Sequence, residues 1–421
     1  MGASNFNSII GNEKLKSILD SSISVQLNEI LKLSNNKNDQ ENKTFIQIII
    51  EKIYSDNKEV SDRFSQKTTG LYLIDKIKKA LELNFTGSEE ELSRKINNDE
   101  IFSDDTVKGF FDDLLNVKPK KMKVSSPILG VKIESNISTV NIGPFEISSG
   151  KDVSEVFFDK NLMYISIEIE QVYDIDIAIL KANDAFEDFI RLVHFISWNN
   201  SGIYIKVGYP LAITTIGNII QKDSETYIVK NENGEFESVT HKNNIFNLIA
   251  IDDVFFAKNK DFGNLWDFYG EKIKSKKYKG KIQERILNSA LYLGQARRDV
   301  DIKNAVIYTC IALETIFSFD ENSLFQKSIS DKLADTLVFI AATDLETRKK
   351  VNSLLKRVYA LRSAIVHGGD KNISNDYISI GFTLRIALSE LLNNEKYNDV
   401  KIIQDLYNMV KDAQYSYQHT S

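Results

Sequence analysis

The placement of proline constrains this chain more than any other feature. All four prolines, Pro119, Pro127, Pro144 and Pro210, fall between residues 119 and 210, and none follows. Proline ends or kinks a helix wherever it sits in the interior. Long uninterrupted helices are therefore open to the two flanks, and strands and turns are expected in the middle. From Gln283 onward apolar residues recur at spacings of three and four. They mark six helices at about 283–298, 302–319, 326–342, 344–367, 376–393 and 397–413, with connections short enough for neighbours to run antiparallel.

The same reading divides the rest of the chain. Residues 1–122 are expected to be helical, with apolar stripes at Leu15–Leu19, Ile46–Ile53, Leu71–Leu83 and Phe110–Leu115 and a polar loop at Ser34–Lys43. Lysines between Lys118 and Lys123 lead into a middle α+β domain, residues 124–260, where period-two alternation predicts strands at Val131–Ser135, Val140–Ile147, Val156–Phe158 and Met163–Ile169. Asn233-Gly234 predicts the turn of a hairpin between Tyr227–Val229 and Phe236–Val239. One amphipathic helix stands among these strands, with Ile179, Ala182, Phe186, Phe189, Ile190, Val193 and Ser197 on one face. The fold class is α+β and multidomain: a helical N-terminal region, a middle unit with antiparallel strands, and an all-α C-terminal bundle over 283–415.

Charge and cysteine usage exclude several classes. The net charge of −6 supplies no global attraction for nucleic acid, so contact with RNA has to come from a local patch. The single cysteine, Cys310, rules out an internal disulfide framework and reads as a small core residue of a chain in a reducing, cytoplasmic setting. No signal peptide, myristoylation signal or apolar run of spanning length is seen, so no membrane partner is expected. Neither glycine-rich phosphate-loop motif is present, and no cofactor is expected. His194, at the edge of the amphipathic face, reads as a core histidine held by a neighbour, while His241 and His419 stand in polar surroundings. Asp104, Asp105, Asp112 and Asp113 read as a solvated face, and with no ligand spacing anywhere, no metal site is expected.

The chemistry-bearing stretch is Leu361-Arg362-Ser363-Ala364-Ile365-Val366-His367-Gly368-Gly369. Val351, Leu354, Leu355, Val358, Leu361 and Ile365 form one stripe, Thr343 with Glu346 suggests a capping box at the start, and the two glycines suit a left-handed stop. His367 is then in the last turn. Five residues of helix rotate by roughly 140° and rise about 7.5 Å, so convergence of Arg362 with His367 relies on the long arginine and the fraying end. The residue types suit cleavage of RNA through its own 2′-OH: histidine moves protons near neutral pH, and a guanidinium forks onto phosphate oxygens as their charge builds. Ala305–Phe317 is apolar nearly all round except for Glu314, which needs a partner; Arg362 is the first candidate, Arg297 and Arg298 the alternatives.

The pair Ile311-Ala312-Leu313-Glu314-Thr315-Ile316-Phe317 and Leu361–Gly368, with the order of helices around it, resembles the Apea-like branch of the HEPN ribonuclease superfamily over roughly residues 283–415. The resemblance implies a helical bundle that pairs as a homodimer, so that two R-x4-H motifs face each other and cut RNA without metal, leaving a 2′,3′-cyclic phosphate. It assigns the scissile phosphate to Arg362, proton transfer to His367 and the holding of the arginine to Glu314. Ser363 stands where many members have Asn, Asp or His, a departure at a supporting position. It also implies a role in bacterial anti-phage defence by abortive infection, with RNA, tRNA included, as substrate and an unidentified phage or cellular trigger. The N-terminal regions would sense that trigger or restrain the bundle. The superfamily includes catalytically inactive members that bind RNA or protein, the alternative expectation. Lys274, Lys276, Lys277 and Lys279, with Lys272, Lys281 and Tyr278 in the same run, are candidates to hold RNA, or else belong to a solvated linker.

Overall fold

The computed structural model describes residues 17, 20–35, 39–84, 88–107, 109–134, 138–150, 162–198, 202–208, 213–216, 219–222, 225–230, 236–241, 245–274, 281–319, 329–368 and 374–416. Two compact units emerge, one of Met1–Met122 with Ile169–Lys181, the other of Lys123–Glu168 with Ala182–Ser421.

The first unit is built from helices α1 (Ile23–Asn35), α2 (Asp39–Asp56), α3 (Gln66–Asn84) and α4 (Glu89–Asn97), with single helical turns between and after them. The expected loop at Ser34–Lys43 is shorter than the sequence suggested: α1 runs to Asn35 and α2 is already helical from Asp39. Leu27, Ile49, Ile53, Phe64 and Leu73 form the floor of its core, and Phe102, Phe110 and Phe111 close it. The buried Asn28 amide binds residue 102 reciprocally, donating to the Phe102 carbonyl at 2.7 Å and accepting its N–H at 3.1 Å. Asp174 secures the returning segment by accepting from the Ser65 N–H at 2.7 Å and the Asp176 N–H at 2.8 Å.

The second unit opens with a five-stranded sheet in the order β3-β4-β5-β1-β6, formed by β1 (Lys120–Leu129), β3 (Thr139–Ile142), β4 (Phe145–Ser149), β5 (Met163–Val172) and β6 (Lys206–Val207). The strand expected over Val140–Ile147 is two strands. Gly143, at φ +54°, and Pro144 turn the chain, and β3 pairs antiparallel with β4 from Thr139↔Ser148 to Ile142↔Phe145. Of the described residues of the expected strand Val131–Ser135, Val131–Lys132 form a strand (β2), and its partner is parallel, β12 (Ile249–Ala250). The Val156–Phe158 expectation lies outside the described residues. Further hairpins join β7 (Ile213–Ile216) to β8 (Ile219–Lys222), which also pairs β11 (Ile245–Asn247), and β9 (Glu225–Lys230) to β10 (Phe236–His241). The last pair carries the expected strands; the Asn233-Gly234 turn itself lies outside the described residues.

Helix α5 (Ile175–Ile196) and helix α6 (Asn264–Lys274) supply the aromatic residues that meet this sheet. Phe145 of β4 lies 5.1 Å from Phe189 and 5.4 Å from Tyr269, and Phe189 lies 5.5 Å from Trp266, centroid to centroid. The face expected on α5 is buried from Ala182 to Ser197, but Ile179 is 41% exposed. Arg385 closes the carboxyl end of α5. Its guanidinium donates to the Ile196 carbonyl at 3.2 Å and lies 4.4 Å from the Phe262 ring centre, so the positive charge meets the negative end of the helix dipole over an aromatic face.

The chain then forms α7 (Ile282–Arg298), α8 (Ile302–Phe317), α9 (Ile329–Ala341), α10 (Leu345–Val366), α11 (Asp376–Asn393) and α12 (Ile403–Ser416), close to the six expected helices. As its composition requires, α8 is central and packs against α7, α9, α10 and α11. Its carboxyl end is tied down by Arg285, which donates to the Thr315 and Ser318 carbonyls at 3.1 and 2.9 Å, and by the Tyr407 hydroxyl, which donates to the Phe317 carbonyl at 2.8 Å. No helix among the described residues is long and apolar enough to cross a membrane.

Candidate functional site

Helix α10 carries the candidate residues Arg362 and His367, and both of its ends are built from side-chain and backbone chemistry. It starts one residue later than the capping box suggested: Asp344, not Thr343, is the N-cap, and its carboxylate accepts from the Thr347 N–H at 2.8 Å. The carboxyl end falls where the glycines placed it. His367 is the C-cap, with φ −94° and ψ 12°, its N–H bonded to the Ser363 carbonyl at 3.1 Å, and Gly368 follows at φ +72°. The His367 side chain is exposed, as are Ser363 and Val366, whereas Arg362 is half-buried.

Two helix faces meet behind this end. Tyr359 and Arg362 are three apart on α10, and Cys310 and Glu314 are four apart on α8, so each pair shares a face. The Tyr359 hydroxyl donates to Glu314 Oε1 at 3.2 Å. Burial, then the neighbouring Cys310 and Glu314, push the Tyr359 phenol well above the ordinary tyrosine range, so it stays protonated and remains a donor. Burial pushes the Cys310 thiol up to about 12, with Glu314 adding to the rise and Arg362 opposing it. Cys310 is 1% exposed and acts as a packed core residue. The Arg362 charge is thus felt at both Tyr359 and Cys310.

The partner expected for Glu314 is corrected here. Among the described residues no ion pair joins Glu314 to Arg362; the tyrosine hydroxyl takes that place. The alternatives are committed elsewhere. Arg297 donates to the Trp198 carbonyl at 3.2 Å with its guanidinium 5.0 Å from the Trp198 ring centre, and Arg298 pairs with Glu187. Tyr359 is the residue that sequence reading missed. Its signal was its position, three before Arg362 on the buried side of an amphipathic helix, where a tyrosine needs an acceptor.

The remaining candidates separate. Lys272 and Lys274 are not in a linker but in the last turn of α6, where Lys272 lies 3.9 Å from Asp188 and Lys274 is exposed. Lys276, Lys277, Tyr278 and Lys279 lie outside the described residues, as do the side chain of His241 and all of His419. The four aspartates are exposed at the starts of two helical turns, with Asp113 held low by Lys76 and Asp104 bonded by the Ser24 hydroxyl. Among the described residues no three His, Cys, Asp or Glu side chains come together as metal ligands would. A shallow groove lined by Lys349, Ser353, Lys356, Arg357 and Ala360 lies on α10 but includes neither Arg362 nor His367. Two of its cations are already paired, Lys356 with Asp331 at 3.0 Å and Arg357 with Asp376 at 2.7 Å.

His194 is 7% exposed, buried as a core histidine is. Burial, with Arg298 and Arg297 nearby, pushes its ring down to about 4. An unfolded histidine takes its proton near pH ~6.5. The unfolded state therefore binds more protons between these values, and the stability of the neutral ring, complete above ~6.5, is lost as pH falls toward 4. The loss amounts to about 2 kcal/mol at pH ~5. Urea unfolding of His194→Gln at pH 7 and pH 5 should show a smaller difference than wild type; equal differences would remove His194 as the source.

Comparison of the chain with protein-family models, with curated proteins and with solved structures finds no match. The functional reading stands on the residues themselves.

Proposed function

We propose that this protein is an endoribonuclease that cuts RNA by attack of the 2′-OH on the adjacent phosphate, through the Arg362–His367 motif at the end of α10. The observation that carries the reading is the pairing on one helix end of a half-buried guanidinium without an ion-pair partner among the described residues and a solvent-exposed imidazole. In the reaction the 2′-oxygen forms its bond to phosphorus as its proton leaves, and the bond to the 5′-oxygen breaks as that oxygen is protonated. His367 serves proton transfer at one of these oxygens. Arg362 grips the phosphate oxygens on which negative charge accumulates, with two hydrogen bonds from its fork. Each chain holds one motif, so a site that needs two histidines is completed by a second copy across a two-fold axis. The resemblance to HEPN ribonucleases supports this homodimer and a role in anti-phage defence, with the first unit and the strands of the second sensing a phage or cellular trigger that raises a basal activity.

None of these groups needs a metal for its part. Full-length protein incubated with end-labelled RNA is expected to give fragments ending in 2′,3′-cyclic phosphate at the same rate with and without EDTA. A requirement for Mg²⁺ would overturn the mechanism.

A further inference from the structure

Glu314 and Arg362 lie on facing helices, yet the carboxylate bonds to the Tyr359 hydroxyl, at 3.2 Å, and not to the guanidinium. Both charged groups act on Tyr359 and on Cys310, so they share one small region. A carboxylate half out of water takes the nearest strong donor. Without the phenol, a cationic donor open to Glu314 is the guanidinium that stands on the same helix face as Tyr359, three residues further on. An arginine bonded in that way presents fewer donors to a phosphate.

We infer that Tyr359 is a positioning residue of the cleavage site: its hydroxyl occupies Glu314 so that the Arg362 fork stays open to an RNA phosphate while the carboxylate charge keeps the guanidinium in place. This rests on the nuclease reading above. It separates the two tasks of Glu314, attraction at a distance and hydrogen bonding at contact, and gives the second to a neutral neighbour. Tyrosine suits the task because its buried phenol keeps its proton at any working pH and because one ring fixes the oxygen with two torsions.

The test uses full-length protein and a labelled RNA. Tyr359→Phe keeps the ring and removes only the hydroxyl, so folding is expected to survive, checked by its melting curve. Cleavage is expected to fall about tenfold in kcat with KM little changed, the loss of one hydrogen bond to a charged group being felt as transition-state charge builds. The same change in a Glu314→Gln background is expected to add little, because the carboxylate it controls is gone. A general loosening of the bundle would instead add fully in both backgrounds and overturn the inference. So would wild-type kcat in Tyr359→Phe when His367→Ala, assayed beside it, is inactive. Cleavage that survives His367→Ala, or no cleavage by wild type, would overturn the nuclease reading itself.

Discussion

Replacement of His367 by alanine is expected to abolish RNA cleavage and leave the protein folded. The expectation has two independent parts. Chemically, general acid–base catalysis by a positioned side chain contributes about 10²–10⁴-fold, and among the described residues no other histidine stands at this helix end to replace it. Structurally, His367 closes α10 with its backbone N–H, which alanine retains, while its side chain is exposed and fills no core position. The melting curve of His367→Ala should overlay that of wild type, and its RNA should remain intact on a denaturing gel, in vitro and after induction in a bacterial host. Wild-type protein should arrest growth and yield discrete fragments. Arg362→Ala is a less clean test, because Arg362 is half-buried between helices and its removal disturbs charges that act on Tyr359 and Cys310. Equal loss of soluble protein in both variants would make the motif structural. Intact activity in soluble His367→Ala would end the proposal.

The bundle was legible in the sequence because helical burial is periodic and local. The stripe from Val351 to Ile365 and the two glycines after His367 were sufficient to place α10 within a residue at its carboxyl end. Its start was misplaced by one residue because Thr343 and Asp344 are both good caps, and only the backbone conformation decides between them. Strands were harder. Val140–Ile147 alternates on each side of Gly143 and Pro144, but the phase shifts between Ile142 and Phe145, and turn chemistry outranks alternation there. Strand β1 begins at Lys120 and passes through Pro127, two features that argue against a strand; the proline lies beside the short pairing of Ile128 and Leu129 with β6. On α5, Ile179 continued the apolar stripe but lies in a turn the core does not cover.

The site was legible in its residue types but not in its pairings. A lone carboxylate in an apolar helix asks for a donor, and the sequence offers every cation in the bundle as an answer. Which donor reaches it depends on how two helices are rotated about their own axes, and that is fixed by side chains such as Leu355 and Val358, fully buried on the same side of α10, four residues before Tyr359 and Arg362 respectively. Arginine was the natural expectation from charge. The observed tyrosine is the answer from geometry.

How closely α7 approaches α5 depends on one glycine. A Cβ on Gly294 would lie 1.9 Å from the Arg191 carbonyl oxygen and 2.6 Å from its carbon. Both are backbone atoms of α5, so no side chain can swing aside. The closeness is used: Arg191 Nε donates to the Gln295 side chain at 3.1 Å across the same crossing. Gly294→Ala therefore has to separate two helices, and the expected cost is about 3 kcal/mol or more, the upper end for overfilling a core. Gly270→Ala is the control. It also lies inside a helix, but its Cβ would meet only Pro144 Cδ at 3.9 Å, an ordinary contact, so the better helix former should gain about 0.5–1 kcal/mol. Urea midpoints should move in opposite directions. The consequence reaches the site because α7 is also bonded to α8, through the Ser289 hydroxyl to the Ala312 carbonyl at 2.9 Å, two residues before Glu314. A Gly294→Ala protein that still folds should lose cleavage as well as stability, whereas Gly270→Ala should keep it. Unchanged stability in Gly294→Ala would mean that α5 and α7 do not cross at this distance.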